Sequence, residues 1–239
     1  MKNTFLVISW IIQCWIGALA QSPLRQESIV RVNAAGYMDS LAGWVTLFYG
    51  TLQEPYEFIS ANHPYFKDSR YAKGELSYGG AFYPNVLLRW DINRDELIAF
   101  TPDNYHVVLS PDKSEEVLLH GHHLIYLKKD SLINSPPPGY YILLYAGECT
   151  ALAKPSAVLQ KRSYQYRIEN FYSITTKYYV IKEGTYFPVK NKNALLNTLG
   201  DYHRELNRLT RTNRLSFRRD PETMLVEVMK EYEKLKYLP

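Results

Sequence analysis

Three histidines stand within four positions, His120, His122 and His123, and their type and spacing are what a metal site would use. Imidazole is the commonest metal ligand, and on a strand His120 and His122 would point to the same side. A zinc site, however, needs three or four ligands, and no carboxylate or cysteine stands at a suitable local spacing. Gly121 also reads as a turn, which would scatter the rings. Asp91, Asn93 and Asp95 copy the opening of a calcium loop, which then requires Gly at its sixth position and Glu at its twelfth. Glu96 and Pro102 stand there instead, so the acids read as turn formers that accept backbone hydrogen bonds. Cys149, with Ala151 and Ala153 beyond it, reads as a small buried strand residue rather than a nucleophile or an intermolecular bridge. No GxSxG elbow, HExxH, phosphate loop or dinucleotide fingerprint occurs. The sequence therefore assigns no catalytic, cofactor-binding or metal residue and no cofactor.

Arg204, Arg208 and Arg211 line one side of a helical pattern, with Arg214, Arg218 and Arg219 beyond it. They read either as a contact for an anionic partner or as a solvated face. Asp201 and Glu205, each three residues before an arginine, and Glu227 before Lys230 favour the solvated face. The chain also holds 21 tyrosines, a residue suited both to half-buried strands and to binding surfaces. Composition alone does not choose between the two, and most are expected to be structural.

These residues are carried by a run of short strands from about 74 to 190. Val86, Leu88, Trp90 and Ile92 alternate with Leu87, Arg89 and Asp91, and residues 95–100 follow across Asn93-Arg94. Residues 105–109, 115–120 and 122–127 come next. Residues 139–145 and 148–154 pair across Ala146-Gly147, where glycine would supply the positive φ of a tight hairpin. Tyr164, Tyr166 and Ile168, then Tyr172, Ile174, Tyr178 and Val180, alternate with polar neighbours, and 186–189 closes the series. Leu195, Leu196, Leu199, Tyr202, Leu206 and Leu209 then recur at helical spacing over 193–211. Asp220-Pro221 opens a second stripe through Leu225, Val228, Met229, Tyr232 and Leu235. Leu215 and Phe217 between them alternate like a strand, and 44–47 could be a further strand. The fold class expected is α+β: an antiparallel meander, a curved sheet or half-barrel, with two C-terminal amphipathic helices packed on it.

Residues 1–20 carry Lys2, an apolar run and an Ala18-Leu19-Ala20 site before Gln21, the layout of a secretory signal peptide. The apolar run is short of the roughly 20 residues of a membrane span. Cys14 follows Gln13, where a lipidation site wants a small residue. Residues 21–239 are then expected to form a single β-rich domain without a transmembrane segment. Removing Lys2 takes the formal charge from +4 to +3, too little to imply a nucleic-acid partner.

The run His63-Pro64-Tyr65-Phe66, Tyr78-Gly79-Gly80 and Tyr83-Pro84-Asn85-Val86-Leu87-Leu88, leading to Asp91 and Asp95-Glu96-Leu97, resembles a family of exported β-rich proteins of Bacteroidota. Gly121-His122-His123, the hairpin of 139–147 and the two closing helices fit the same pattern. This chain departs from it at two turns, with Ala146 before the hairpin glycine and Tyr78-Gly79-Gly80 for a more usual Tyr-Asn/Asp-Gly. The family has no assigned activity, so the resemblance implies fold and export and carries over no catalytic residue. The expected function is a non-enzymatic binding or accessory protein of the cell envelope, periplasmic, outer-membrane-associated or extracellular. Its partner would be a small ligand or an envelope protein. The alternatives are an exported hydrolase with no linear motif, since paired carboxylates need only meet in space, and an outer-membrane β-barrel.

Overall fold

The computed structural model describes residues 47–48, 50–129, 136–164 and 167–237, and Leu47–Pro239 form one compact unit. The expected leader with Cys14, its junction at Gln21, residues 44–46 of the strand expected over 44–47, Gln165 and Tyr166 lie outside the described residues. The elements are β1 (Thr51–Leu52), β2 (Ala72–Tyr78), β3 (Ala81–Asp91), β4 (Glu96–Phe100), β5 (His106–Val108), β6 (Ser114–Leu119), β7 (His122–Leu127), β8 (Gly139–Tyr145), β9 (Cys149–Tyr164), β10 (Arg167–Lys182) and β11 (Thr185–Val189). Helices α1 (Lys192–Leu199), α2 (His203–Thr212) and α3 (Pro221–Tyr237) follow.

The eleven strands make one antiparallel sheet in the order β1-β5-β4-β3-β2-β6-β7-β8-β9-β10-β11. Its end strands β1 and β11 do not pair with each other, so the sheet is open. β1 pairs with β5 rather than with β2, and from β2 to β11 the meander expected from the short connections holds except at one point, where β6 returns to the free side of β2. In a flat sheet that return spans four strand spacings, about 19 Å. The link from Val108 to Ser114 contains the 3₁₀ turn Pro111–Lys113 and reaches only about 16 Å. The sheet must therefore curl. Ser110 N donates to Tyr78 Oη at 3.1 Å and Gly79 N to Lys113 O at 2.8 Å, which ties the link to the end of β2.

Paired residues of antiparallel strands share a face, so the pairings trace one continuous core surface. Leu88 and Trp90 lie opposite Ala99 and Leu97, and Leu76, Val117, Leu124, Ile142 and Ala153 continue it strand by strand. All are buried. Curling brings Trp90 edge-on to Tyr140, with centroids 6.3 Å apart, and Tyr140 donates to Ser114 Oγ at 3.0 Å. On Cys149, Ala151, Val180 and Val189 the same surface is covered by Leu195, Leu196, Leu199, Leu206, Leu225, Val228 and Met229 of the helices. Among the described residues no helix is long and apolar enough to cross a membrane.

The helical stripe expected over 193–211 is divided into α1 and α2. Asn191 caps α1 by accepting from Ala194 N at 2.9 Å. Gly200 ends it at φ +74°, and Lys182 Nζ takes up the Leu199 carbonyl at 2.6 Å. Leu215 and Phe217 form no strand. They pack on the helical core instead, Phe217 edge-on to Tyr178 with centroids 5.6 Å apart. Strands β9 and β10 each run 16 residues: 155–164 extends the strand expected over 148–154, and the alternating run expected over Tyr164–Ile168 is divided, Tyr164 ending β9 while Arg167 and Ile168, paired back onto Tyr164 and Ser163, open β10 and continue into the second run. Leu206 is fully buried between α2 and the core. Leu206→Ala should cost about 2–5 kcal/mol in urea unfolding; a loss under about 0.5 kcal/mol, the range of exposed sites, would contradict the packing.

Candidate binding surface

The pairing of β8 with β9 stops at Ile142 and Ala153. Beyond it stands Pro155, which has no N–H to give a ladder. The β3–β4 turn, residues 92–95, fills the gap. Ile92 O accepts from Ala157 N at 3.0 Å and Asn93 Nδ2 donates to Ala157 O at 2.8 Å, so the turn bonds β9 where β8 does not. On the other side Asp95 Oδ2 accepts from Tyr140 N at 3.3 Å and pairs with Lys154 Nζ, which also donates to Tyr140 O at 2.9 Å. Asp95 Oδ1 accepts from Trp90 Nε1 at 3.2 Å. Burial holds the Lys154 ammonium below its ordinary pKa, opposed by the Asp95 charge. Gly139, at φ +141°, lies so close that a Cβ there would overlap Asp95 Oδ2 and Lys154 Nζ.

The turn also anchors the strap formed by residues 53–71. Asp91 is fully buried; its Oδ1 accepts from Asn93 N at 2.9 Å and Arg94 N at 3.1 Å, and its Oδ2 from Tyr56 Oη at 2.7 Å. Three donors thus compensate a buried carboxylate. Burial, and then the bond to Asp91, raise the Tyr56 pKa well above the ordinary phenol value. Arg94 lies over the Tyr56 ring at 4.3 Å. Arg89 is held between the rings of Tyr65 and Tyr71 at 3.9 and 4.3 Å, donating to Ser69 O and Gln53 Oε1. Burial pushes the Tyr71 phenol up to about 12. Asn62 ties the strap to β10 as a strand would, donating to Tyr172 O at 2.8 Å and accepting from Tyr172 N at 2.6 Å.

At the edge next to this strap a hollow of about 470 Å³ opens beside β1 and β5, lined by Phe48, Leu52, Val107 and Tyr105 with Thr101 and Asp103. Leu52 and Tyr105 are each 57 % exposed although both are apolar-bodied. Thr101, buried, accepts from Tyr105 N at 3.0 Å and fixes the loop that carries the tyrosine. Apolar walls with a few polar groups, in a volume of a few hundred Å³, are the ordinary make-up of a small-ligand site.

The residues singled out by sequence are dispersed. His120 at φ +51° and Gly121 at φ +74° make the two-residue turn between β6 and β7. His122 packs edge-on to Phe66 and accepts from Lys67 Nζ at 2.5 Å, and burial with Lys67 beside it holds its pKa down. His123 borders a separate hollow with Glu75 and Glu116. Asp91 is the turn former expected, whereas Asp95 does more than turn the chain. Cys149 is buried in the helix–sheet core, which pushes its thiol pKa up. Among the described residues no three His, Cys, Asp or Glu side chains converge as metal ligands would.

No protein-family model, curated protein or solved structure matches this chain. The hollow and the strap therefore rest on their own geometry.

Two readings change. Gly147 does not adopt positive φ; a Cβ there would meet the carboxylate of Glu233, which accepts from Glu148 N at 2.7 Å and from Tyr145 Oη and so docks α3 on the hairpin. Asp201 and Glu205 do not pair with the arginines that follow them. The Asp95–Lys154–Tyr140 knot and the Asn62 clamp escaped the sequence because their members lie 14 to 110 residues apart. Gly139 at the start of a strand was the one local sign. Gly139→Ala should destabilise by about 1–3 kcal/mol through overpacking, in addition to backbone strain. Gly121→Ala, with open space around it, should meet the strain alone. Equal losses for the two variants in urea unfolding would contradict the close approach at Gly139.

Proposed function

We propose that this chain is an exported, non-enzymatic binding or accessory protein of the cell envelope, working in the periplasm or at the outer-membrane or outer cell surface. Its contact site for a small, largely apolar ligand is the hollow beside β1 and β5. The signal-peptide layout of residues 1–20 and the resemblance to exported Bacteroidota proteins support export. The observation that carries the binding reading is the lining of the hollow: Phe48, Leu52, Tyr105 and Val107 around one carboxylate, Asp103. A single acid beside a hydroxyl offers a ligand orientation, not a nucleophile with its base. Asp91 and Asp95 are committed elsewhere, Asp91 to Tyr56 and the turn amides, Asp95 to Trp90, Tyr140 and Lys154.

Nile red, a neutral apolar dye, is the probe. It should bind the full chain with a saturable fluorescence rise, and Leu52→Glu together with Tyr105→Ser should abolish that rise without lowering the melting temperature. Dye binding that survives both substitutions would place the apolar site elsewhere. Expression in a Gram-negative host with N-terminal sequencing tests the export half: a mature chain starting at Gln21 is expected, and a retained Met1 or a lipidated Cys14 would contradict it.

A further inference from the structure

We propose that the arginine-rich corner formed by α2 and the turn after it is a docking surface for an anionic phospholipid bilayer. It is a different surface from the hollow beside β1 and β5 and does not rest on that reading. Residues 203–219 hold six arginines against one acid, Glu205, while the whole chain carries only +4. Arg204, Arg208 and Arg211 recur at intervals of four and three, so they form one stripe along α2. Leu206 and Thr210 anchor its opposite side in the core. Arg214, Arg218 and Arg219 continue the array, and all six are exposed.

Spacing alone predicts that Asp201 and Glu205 neutralise this stripe. The structure shows otherwise. Among the described residues none of the six arginines forms a salt bridge, whereas on α3 the same interval does pair Glu227 with Lys230 at 3.0 Å and Glu231 with Lys234 at 3.7 Å. Among the described residues the six guanidiniums make one hydrogen bond, a long one, Arg219 Nη2 to Arg214 O at 3.5 Å. The turn is nonetheless fixed, since Leu215 N donates to Thr210 O at 2.9 Å and Arg219 N to Ser216 O at 3.1 Å. Between Arg214 and Arg219 a notch of about 330 Å³ is lined by Leu215, Ser216, Thr223 and Asp220. The Asp220 carboxylate is engaged as the cap of α3, accepting from Thr223 N at 3.0 Å.

A lone phosphate in the notch would meet only Arg214 and Arg219, leaving Arg204, Arg208 and Arg211 unused. A layer of phosphate headgroups engages the exposed α2 stripe as well as the turn. Clusters of four to eight basic residues bind anionic lipid at about 1 kcal/mol, or roughly fivefold, per residue near the surface, and here α2 supplies three and the turn after it three.

The test is partition of the full chain between vesicles of phosphatidylcholine alone and vesicles containing phosphatidylglycerol. The ratio of the two is read, so that any apolar segment binding both cancels. A preference for phosphatidylglycerol that weakens with salt is expected. It should fall roughly fivefold for each arginine lost in Arg204→Gln/Arg208→Gln/Arg211→Gln and again in Arg214→Gln/Arg218→Gln/Arg219→Gln, with melting unchanged. The version carrying lysine at the α2 positions, Arg204→Lys/Arg208→Lys/Arg211→Lys, should retain it. Equal partition to the two vesicles, or a preference that survives loss of all six arginines, would overturn the proposal. So would arginine-dependent binding of a DNA duplex without any vesicle preference, which would assign the corner to a soluble polyanion.

Discussion

A sheet that curls on itself must stop pairing somewhere, and the groups left without partners at that point have to be satisfied by another element. Here the place is the outer end of β8. Ladder bonds between β8 and β9 end at Ile142 and Ala153, and Pro155 offers no donor to extend them. The β3–β4 turn supplies what is missing. Asp95 takes the Tyr140 N–H and the Lys154 ammonium, and Ile92 and Asn93 take the two backbone groups of Ala157. Gly139 leaves room for this because any side chain there would collide with the ion pair. Lys154 and Asp95 keep 15 % and 27 % of their side-chain surface in contact with solvent. The pair is therefore valued for the groups it holds in place rather than for its Coulombic energy.

Much else follows from that turn. With β3 brought against β9, Trp90 and Tyr140 meet in the middle of the curl. The same turn carries Asp91, whose bond to Tyr56 fastens the strap, and Arg94, which lies over the Tyr56 ring. Fastening the strap sets Tyr65 and Tyr71 on either side of Arg89 and packs Tyr71, with its ring tilted, against Phe100 and His106. His106 adjoins Tyr105, which walls the hollow. The helices instead cover the far end of the same core surface. They turn the side of α2 that bears Arg204, Arg208 and Arg211 away from it.

The strands were legible where one face is buried and the other wet. Val86, Leu88 and Trp90 alternate with residues of lesser burial, and the pattern located β3 without reference to any partner. Leu225, Val228 and Met229 marked α3, and Asp220-Pro221 marked its start. The break between α1 and α2 was less legible, because the apolar stripe runs through it. Gly200 and the capture of the Leu199 carbonyl by Lys182, a residue of another strand, make it. Region 155–163 was not legible as strand, since Pro155 stands at its head, and proline is tolerated there because pairing on the β8 side has already ended while β10 continues on the other. Charge spacing misled at Arg204 and Arg208: a separation of three permits an ion pair but does not form one, since long exposed side chains lose rotamer freedom in pairing. The hollow gave no sequence signal at all, being assembled from Phe48 and Leu52 at β1 and from Thr101 and Tyr105 of the β4–β5 connection, about fifty residues on.

The central claim is that Asp95, by accepting from Tyr140 N and Lys154 Nζ with one carboxylate oxygen, holds the β3–β4 turn between β8 and β9. Asn accepts the left-handed backbone that Asp95 adopts at φ +59°, so Asp95→Asn removes the charge without straining the turn. Native-state hydrogen exchange on that variant is the most direct measurement. The account predicts that the amides of Tyr140 and Ala157 lose protection together, while Leu152 and Ala153 in the intact ladder keep theirs. Unchanged protection at Tyr140 and Ala157 would contradict it.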